Sequence, residues 1–148
     1  MQDLPLLLQE KGIKYEIIQH PVPIRSAQQG AEFFGIEIGQ TAPTLILETE
    51  KGFFTVIFSG DRGRLDLNKV AILLGCEQVK LASPLTVEKE TGYSIGAVPM
   101  VGLSFPCLFD RQLFHFPFIY GGTGDVNSTL KIPPASVEQL NPVVAYME

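Results

Sequence analysis

Three glycine-dense loops hold most of the residues in this chain whose types suit chemistry: Ser59–Arg64, Gly92–Gly102 and Gly121–Gly124. Glycine lets backbone N–H and C=O groups come close to a ligand, and binding residues concentrate on loops held by a rigid sheet. Glycine is also the default turn residue, so an ordinary turn is the plainer reading of any single loop. Gly121-Gly122-Thr123-Gly124 lacks a following Lys-Ser/Thr and a following long helix, which excludes a Walker loop and a dinucleotide fingerprint. Arg62 and Arg64 are candidates to hold a phosphate. The mixed-sign run Asp61-Arg62-Gly63-Arg64-Leu65-Asp66 also suits capping and surface pairing.

Nucleophiles are scarcer. There is no Gly-x-Ser-x-Gly elbow, and Ser59, His20 and Asp110 form a hydrolase triad only on paper. His20, just before Pro21, reads first as a hydrogen-bonded structural residue. His20 and His115 have no ligand-like spacing, and Cys76 and Cys107 stand in no CxxC, so neither a metal nor a redox site is expected. Both cysteines lie in apolar runs, as reduced core residues of a cytoplasmic protein would. Phe105, Phe109, Phe114, Phe116 and Phe118 read as core or as pocket lining.

The elements that must position these residues are short. The chain has 148 residues, 45% of them hydrophobic and 18% charged, which fits one globular domain, 1–148. A net charge of −5 gives no general grip on a polyanion, so DNA is not an expected partner. No segment suggests a signal peptide or a membrane span. Asp3 is placed to cap a first helix that Gly12 ends. Ile13–Ile18 alternates as a strand, and Ser26 opens a helix from Ala27 to Phe34. Thr44–Glu48 and Phe53–Phe58 flank Glu50-Lys51-Gly52 as a hairpin whose apolar runs predict a sheet covered on both faces. Asp66 caps a helix Leu67–Leu74, and Ser83 caps another from Pro84 to Glu90. Strands are expected at Val79–Leu81, Cys107–Asp110, Phe116–Tyr120 and Leu130–Ile132, with a last helix from Pro134 to Leu140. The predicted fold is α/β, with a mixed, largely antiparallel sheet surrounded by helices.

The order of segments carries more than any motif. Tyr15 to Pro21 (YEIIQHP), Arg25 to Ala31 (RSAQQGA), Gly35 and Gly39-Gln40 resemble the opening of the YbaK/EbsC-type aminoacyl-tRNA deacylases. This is the editing domain also found in, or associated with, prolyl-tRNA synthetases. The hairpin, Ser59-Gly60-Asp61-Arg62, Leu65-Asp66-Leu67, Lys69–Gly75 and Ala82-Ser83 continue in the family's order. So do Thr91-Gly92-Tyr93, Gly96-Ala97-Val98-Pro99, Gly102, Asp110 and the late Gly-Gly-Thr-Gly. The resemblance covers about residues 15–140.

That resemblance implies hydrolysis of the ester between a wrong amino acid and the tRNA 3′ end, with alanyl- or cysteinyl-tRNA(Pro) as typical substrates. No metal or cofactor is implied. Catalysis would lean on the terminal ribose hydroxyl, a positioned water and backbone groups. The implied substrate-binding set is His20, Arg25, Thr44, Ser59, Gly60, Asp61, Gly96, Ala97, Val98, Pro99, Met100, Gly122, Thr123 and Gly124. Implied partners are a tRNA 3′ end, weakly held by the chain alone, and a synthetase.

Two positions depart from the family pattern. The usual lysine before Thr44-Leu45 is Pro43 here. Met100 stands where the GxxxP proline falls, with Pro99 one place early. Removing a cation beside a phosphate costs about 1.5–3 kcal/mol. Arg25, Arg62 or Arg64 are the candidates to replace it. The alternative is a non-catalytic module that binds an aminoacyl end, an amino-acid-like ligand or a protein partner.

Overall fold

The helices start and stop where single residues direct them. In the computed structural model, which describes residues 4–148, α1 spans Leu4–Glu10 and β1 spans Glu16–Gln19. The Asp3 cap expected for α1 lies outside the described residues. α2 (Ala27–Phe34) begins where the Ser26 hydroxyl accepts the Gln29 N–H, and ends at left-handed Gly35. Next come β2 (Thr41–Ala42), β3 (Thr44–Thr49) and β4 (Gly52–Ile57). α3 (Leu67–Leu74) is capped by the Asp66 carboxylate, which accepts from the Asn68 and Lys69 N–H groups. β5 (Val79–Leu81) leads to α4 (Pro84–Thr91), capped by Ser83 with proline in its first turn. β6 (Cys107–Asp110), β7 (Ile119–Gly121), β8 (Ser128–Ile132), α5 (Pro134–Leu140) and β9 (Val143–Met147) complete the order.

These strands give the mixed α/β architecture expected, divided between two sheets. One runs β1-β8-β7-β2 and the other β5-β3-β4-β6-β9. Pairing is antiparallel in β1–β8, β7–β8, β3–β4 and β3–β5. It is parallel in β2–β7, β4–β6 and β6–β9.

The chain changes sheet at Pro43. Ala42 pairs with Gly121 in the four-stranded sheet, and Thr44 pairs with Ile57 in the five-stranded one. Proline has no N–H, so it suits the one position that neither ladder claims. Its carbonyl still accepts the Phe58 N–H at 3.3 Å.

Burial follows the two faces of each sheet. Ile57, Cys107 and Phe109 share the largest core cluster with Ile119, Leu130 and Ile132, between the two sheets. Leu47, Val56 and Leu108 join Val70 under α3. Ile46 packs with Ala82, Val87 and Val98 beside α4. The β3–β4 hairpin is therefore covered on both faces, as its continuous apolar runs imply.

Two segments differ from expectation. Arg111–His115 forms a 3-10 turn, so the strand expected over Phe116–Tyr120 shortens to Ile119–Gly121. Pro117 lacks the donor to extend it. β9 was not anticipated. It joins the sheet by a parallel pairing with β6, a contact between segments more than 30 residues apart that no local signal announces.

Candidate functional site

A cleft of about 350 Å³ opens at the seam where the chain crosses between sheets. Pro43 and Thr44 line it from the crossover, and Arg25 and Phe34 from either end of α2. Gly96, Ala97 and Val98 line it from the glycine-dense loop, and Tyr120, Gly121 and Gly122 from β7 and the residue after it. Asp125, Ser128 and Thr129 complete the polar part of the rim.

Glycine is required where the loop meets the sheet. A Cβ on Gly122 would stand 2.2 Å from the Val98 carbonyl oxygen, and one on Gly121 would stand 3.0 Å from the Ala42 carbonyl oxygen. The Met100 N–H donates to the Gly122 carbonyl at 3.0 Å, which holds the loop against β7. Gly96 has φ +109, a left-handed conformation that a side chain would strain. Backbone groups thus form one wall of the cleft.

Most polar side chains around the cleft are already partnered. Thr41 Oγ1 donates to the Ile38 carbonyl at 2.6 Å, Ser128 Oγ shares a bond with Thr123 Oγ1 at 2.7 Å, and Thr129 Oγ1 lies 3.0 Å from His20 Nε2. Asp125 Oδ1 accepts the Asn127 N–H at 2.8 Å. Two groups stand out. Thr44 Oγ1 is buried with no hydrogen-bond partner. The exposed Arg25 has a guanidinium with no hydrogen bond or ion pair among the described residues.

Six of the fourteen residues in the expected binding set line this cleft: Arg25, Thr44, Gly96, Ala97, Val98 and Gly122. His20 is buried behind the wall, between the Val22 carbonyl at 2.7 Å and Thr129. Met100 is a core residue, and Pro99 and Thr123 border a small neighbouring cavity under α1. Gly124 (φ +103) packs against the Tyr93 ring.

Ser59, Gly60 and Asp61 do not line the cleft. Ser59 is buried: its Oγ donates to the Gly39 carbonyl at 2.9 Å, and its N–H donates to Asp110 Oδ2 at 2.9 Å. Gly60 is a glycine for packing, since a Cβ there would stand 2.0 Å from Thr41 Oγ1. Asp61 is exposed.

Asp110 is fully buried and binds the Arg62 guanidinium through both oxygens. Arg62 Nη2 also donates to the Glu148 carbonyl. The hydrogen bonds to the Asp110 carboxylate raise the Arg62 pKa above its ordinary value. Arg62 is therefore committed, and Arg64 does not line the cleft, so Arg25 is its only cation among the described residues.

The paper triad does not assemble, because Ser59 and Asp110 are occupied by the contacts above and His20 bonds elsewhere. Burial pushes the Cys107 thiol up to about 11, so it is not a nucleophile near neutral pH. Among the described residues no group of three or more His, Cys, Asp or Glu is placed to hold a metal. No helix there is long and apolar enough to cross a membrane.

The segment-order reading missed Phe34, Tyr120 and Asp125. Asp125 directly follows the Gly121–Gly124 motif, but nothing local shows that Phe34 and Tyr120 meet, at 5.1 Å between ring centroids.

Comparison with known proteins agrees with this fold. Residues 21–140 match the family described as "Aminoacyl-tRNA editing domain". A proline–tRNA ligase from Geobacter metallireducens is 29% identical over 129 residues, covering 81% of this chain and 22% of the ligase. The chain spans 18% and 22% of the length of the first two ligases it matches. A protein from Enterococcus faecalis named "Putative Cys-tRNA(Pro)/Cys-tRNA(Cys) deacylase EbsC" is 26% identical over 136 residues, 82% of each chain. A crystal structure described as "a putative trans-editing enzyme for prolyl tRNA synthetase" superposes with a TM-score of 0.84 at 29% identity, covering 98% of this chain and 94% of that one.

Proposed function

This chain belongs to the aminoacyl-tRNA editing domain family, and on that premise we propose that its cleft hydrolyses the ester joining a small, wrongly attached amino acid to the 3′ end of a proline-type tRNA. The observation that carries this reading is the charge pattern of the cleft. It is apolar over most of its wall, with one cation, Arg25, and one acid, Asp125, among its lining residues. An aminoacyl end presents two charges, the terminal phosphodiester and the α-ammonium. Arg25 suits the first and Asp125 the second.

Catalysis here rests on position. The backbone wall over Gly96–Val98 supplies N–H and C=O groups for the aminoacyl moiety, and the Thr44 hydroxyl, buried without a partner among the described residues, would meet the ester or the attacking water once its side chain turns. The adjacent ribose hydroxyl of the substrate assists the water, so no protein nucleophile is needed. The volume of about 350 Å³ receives a small amino acid with its ribose. A synthetase partner would bring the tRNA body, since the net charge of −5 does not.

The test is a deacylation panel on alanyl-, cysteinyl- and seryl-tRNA(Pro). Ester loss above buffer with at least one substrate is expected, and no loss at high protein concentration would end this reading. Pro43→Lys, which restores the family's cation, is expected to raise the rate about ten- to a hundred-fold, the equivalent of about 1.5–3 kcal/mol.

A second reading is favoured by Pro43 itself. With proline at the lysine position, the same cleft would bind an aminoacyl end without cleaving it. Activity in Pro43→Lys alone would establish that reading.

A further inference from the structure

An aromatic run leads out of the cleft along its α2 side. Phe34 and Tyr120 line the cleft, with ring centroids 5.1 Å apart and planes tilted by 36°. Phe33 continues the run outward, 5.0 Å from Phe34 and edge-on to it. Phe33 is 49% exposed, yet it is held by a second edge contact, with His20 at 5.5 Å. An exposed phenyl ring fixed on two sides is already ordered before any ligand arrives, which lowers the entropy lost on binding.

Cations flank this run in a chain whose net charge is −5. The Lys131 ammonium lies over the Phe118 ring at 4.9 Å and the Tyr120 ring at 5.9 Å. Glu16 is its cross-strand neighbour, but the two form no ion pair among the described residues. Arg25 stands on the cleft rim. One exposed phenyl ring on a run of half-buried aromatic rings, with cations that form no ion pair among the described residues, suits single-stranded nucleic acid, whose bases stack and whose phosphates need neutralising.

We propose that Phe33, at the outer end of this aromatic run, and Lys131, beside Tyr120 at its other end, form a stacking ledge for the unpaired nucleotides that precede the terminal adenosine of the tRNA acceptor end. Phe33 would receive a base, Lys131 and Arg25 phosphates of the same strand, and the last nucleoside would then enter the cleft past Phe34 and Tyr120. The ledge rests on the editing reading for the identity of its ligand. It adds a second point of hold on the RNA, outside the space where the ester sits.

Fluorescence anisotropy tests this with an uncharged RNA hairpin bearing a single-stranded 3′ ACCA end, set against the same hairpin made blunt. Wild type is expected to prefer the overhang. Phe33→Ala is expected to weaken overhang binding about five- to a hundred-fold and leave the blunt hairpin unchanged. Phe33→Tyr keeps a stacking face and is expected to bind as wild type. Lys131→Ala should reduce the slope of log affinity against log salt by about one. Ile72→Ser, on an exposed face of α3, is the control and should change nothing.

Equal binding of both hairpins by wild type would overturn the proposal. So would undiminished overhang binding by a folded Phe33→Ala, or a loss in Phe33→Tyr as large as in Phe33→Ala. The RNA carries no ester, so the result is independent of hydrolysis. A chain that binds the overhang through Phe33 but cleaves nothing keeps the ledge and loses the editing reaction, and the reverse outcome separates them equally well.

Discussion

Two places in this molecule gather the residues that suggest chemistry, and they are finished differently. Around Asp110, every strong group has a partner. The carboxylate accepts from the Ser59 and Gln112 N–H groups and from Arg62 at two positions, with none of its surface exposed. Around the cleft, a hydroxyl at Thr44 is buried without a partner and Arg25 is unengaged. A buried carboxylate is tolerable only when it is satisfied. A binding site must keep some groups unsatisfied until its ligand comes. The same residue types are structural in one place and available in the other, and only the hydrogen-bond inventory separates them.

The largest effect that would break this contrast comes from the finished cluster. Asp110→Ala leaves Arg62, whose side chain is only 20% exposed, without its counter-charge. About 3 kcal/mol of stability should be lost, read as a fall of roughly 6–12 °C in Tm. The protein that remains folded should still deacylate at the wild-type rate. A selective loss of activity with no change in Tm would mean that the cluster belongs to the site.

Next comes the backbone wall. Gly122→Ala places a methyl group 2.2 Å from the Val98 carbonyl oxygen, so the loop must withdraw. About 1–3 kcal/mol of stability should be lost. The KM for aminoacyl-tRNA should rise, since it is the amino-acid wall that moves. An unchanged KM would remove the wall from the site.

Thr44→Val sharpens the contrast at smaller scale. Replacing an unpartnered buried hydroxyl by a methyl group should leave urea stability unchanged or raise it by about 1 kcal/mol. Hydrolysis should fall roughly two- to tenfold. If stability falls instead, the hydroxyl has a partner in solution and the cleft is more finished than it looks.

The smallest effect lies far from both regions. The Glu50 carboxylate accepts the Glu77 and Gln78 N–H groups, and these bonds lower its pKa below 4.5. A lowered folded pKa stabilises above the ordinary carboxyl range and is lost as pH falls through the lowered value. Urea midpoints of wild type and Glu50→Gln should therefore differ at neutral pH and converge as pH falls through the lowered pKa. Equal midpoints at neutral pH would mean that these bonds add nothing.

What the sequence made legible was local. Ser26, Asp66 and Ser83 cap their helices where they were expected to, because a cap is an interaction over three residues. Gly35, Gly75 and Gly92 close the same helices for the same reason. The family was legible too, in an order of weak motifs rather than in any one of them. Long-range contacts were not. Arg62 read as a surface-pairing residue or a candidate phosphate cation because the carboxylate that holds it lies 48 residues away. Phe34 and Tyr120 read only as the last residues of a helix and a strand, and β9 was missed, because parallel pairings leave no turn between partners. The split into two sheets was hidden for a related reason, since Pro43 reads equally well as a strand entry and as a crossing.

That crossing has a mechanical consequence. The ring of Pro43 fixes φ at the joint between the two sheets, and hydrogen bonds anchor the backbone on both sides of it. The cleft is therefore a vice with one jaw bolted down. Its opposite jaw is the Ser94–Val98 turn, which has Gly96 as a pivot and ties to β7 through the Met100–Gly122 bond. A change of aperture is easiest at that jaw, where the turn carries a glycine. Amide exchange should report it, with faster exchange over Ser94–Val98 than over Thr44–Leu47 and slowing at the moving jaw alone when the cleft is filled.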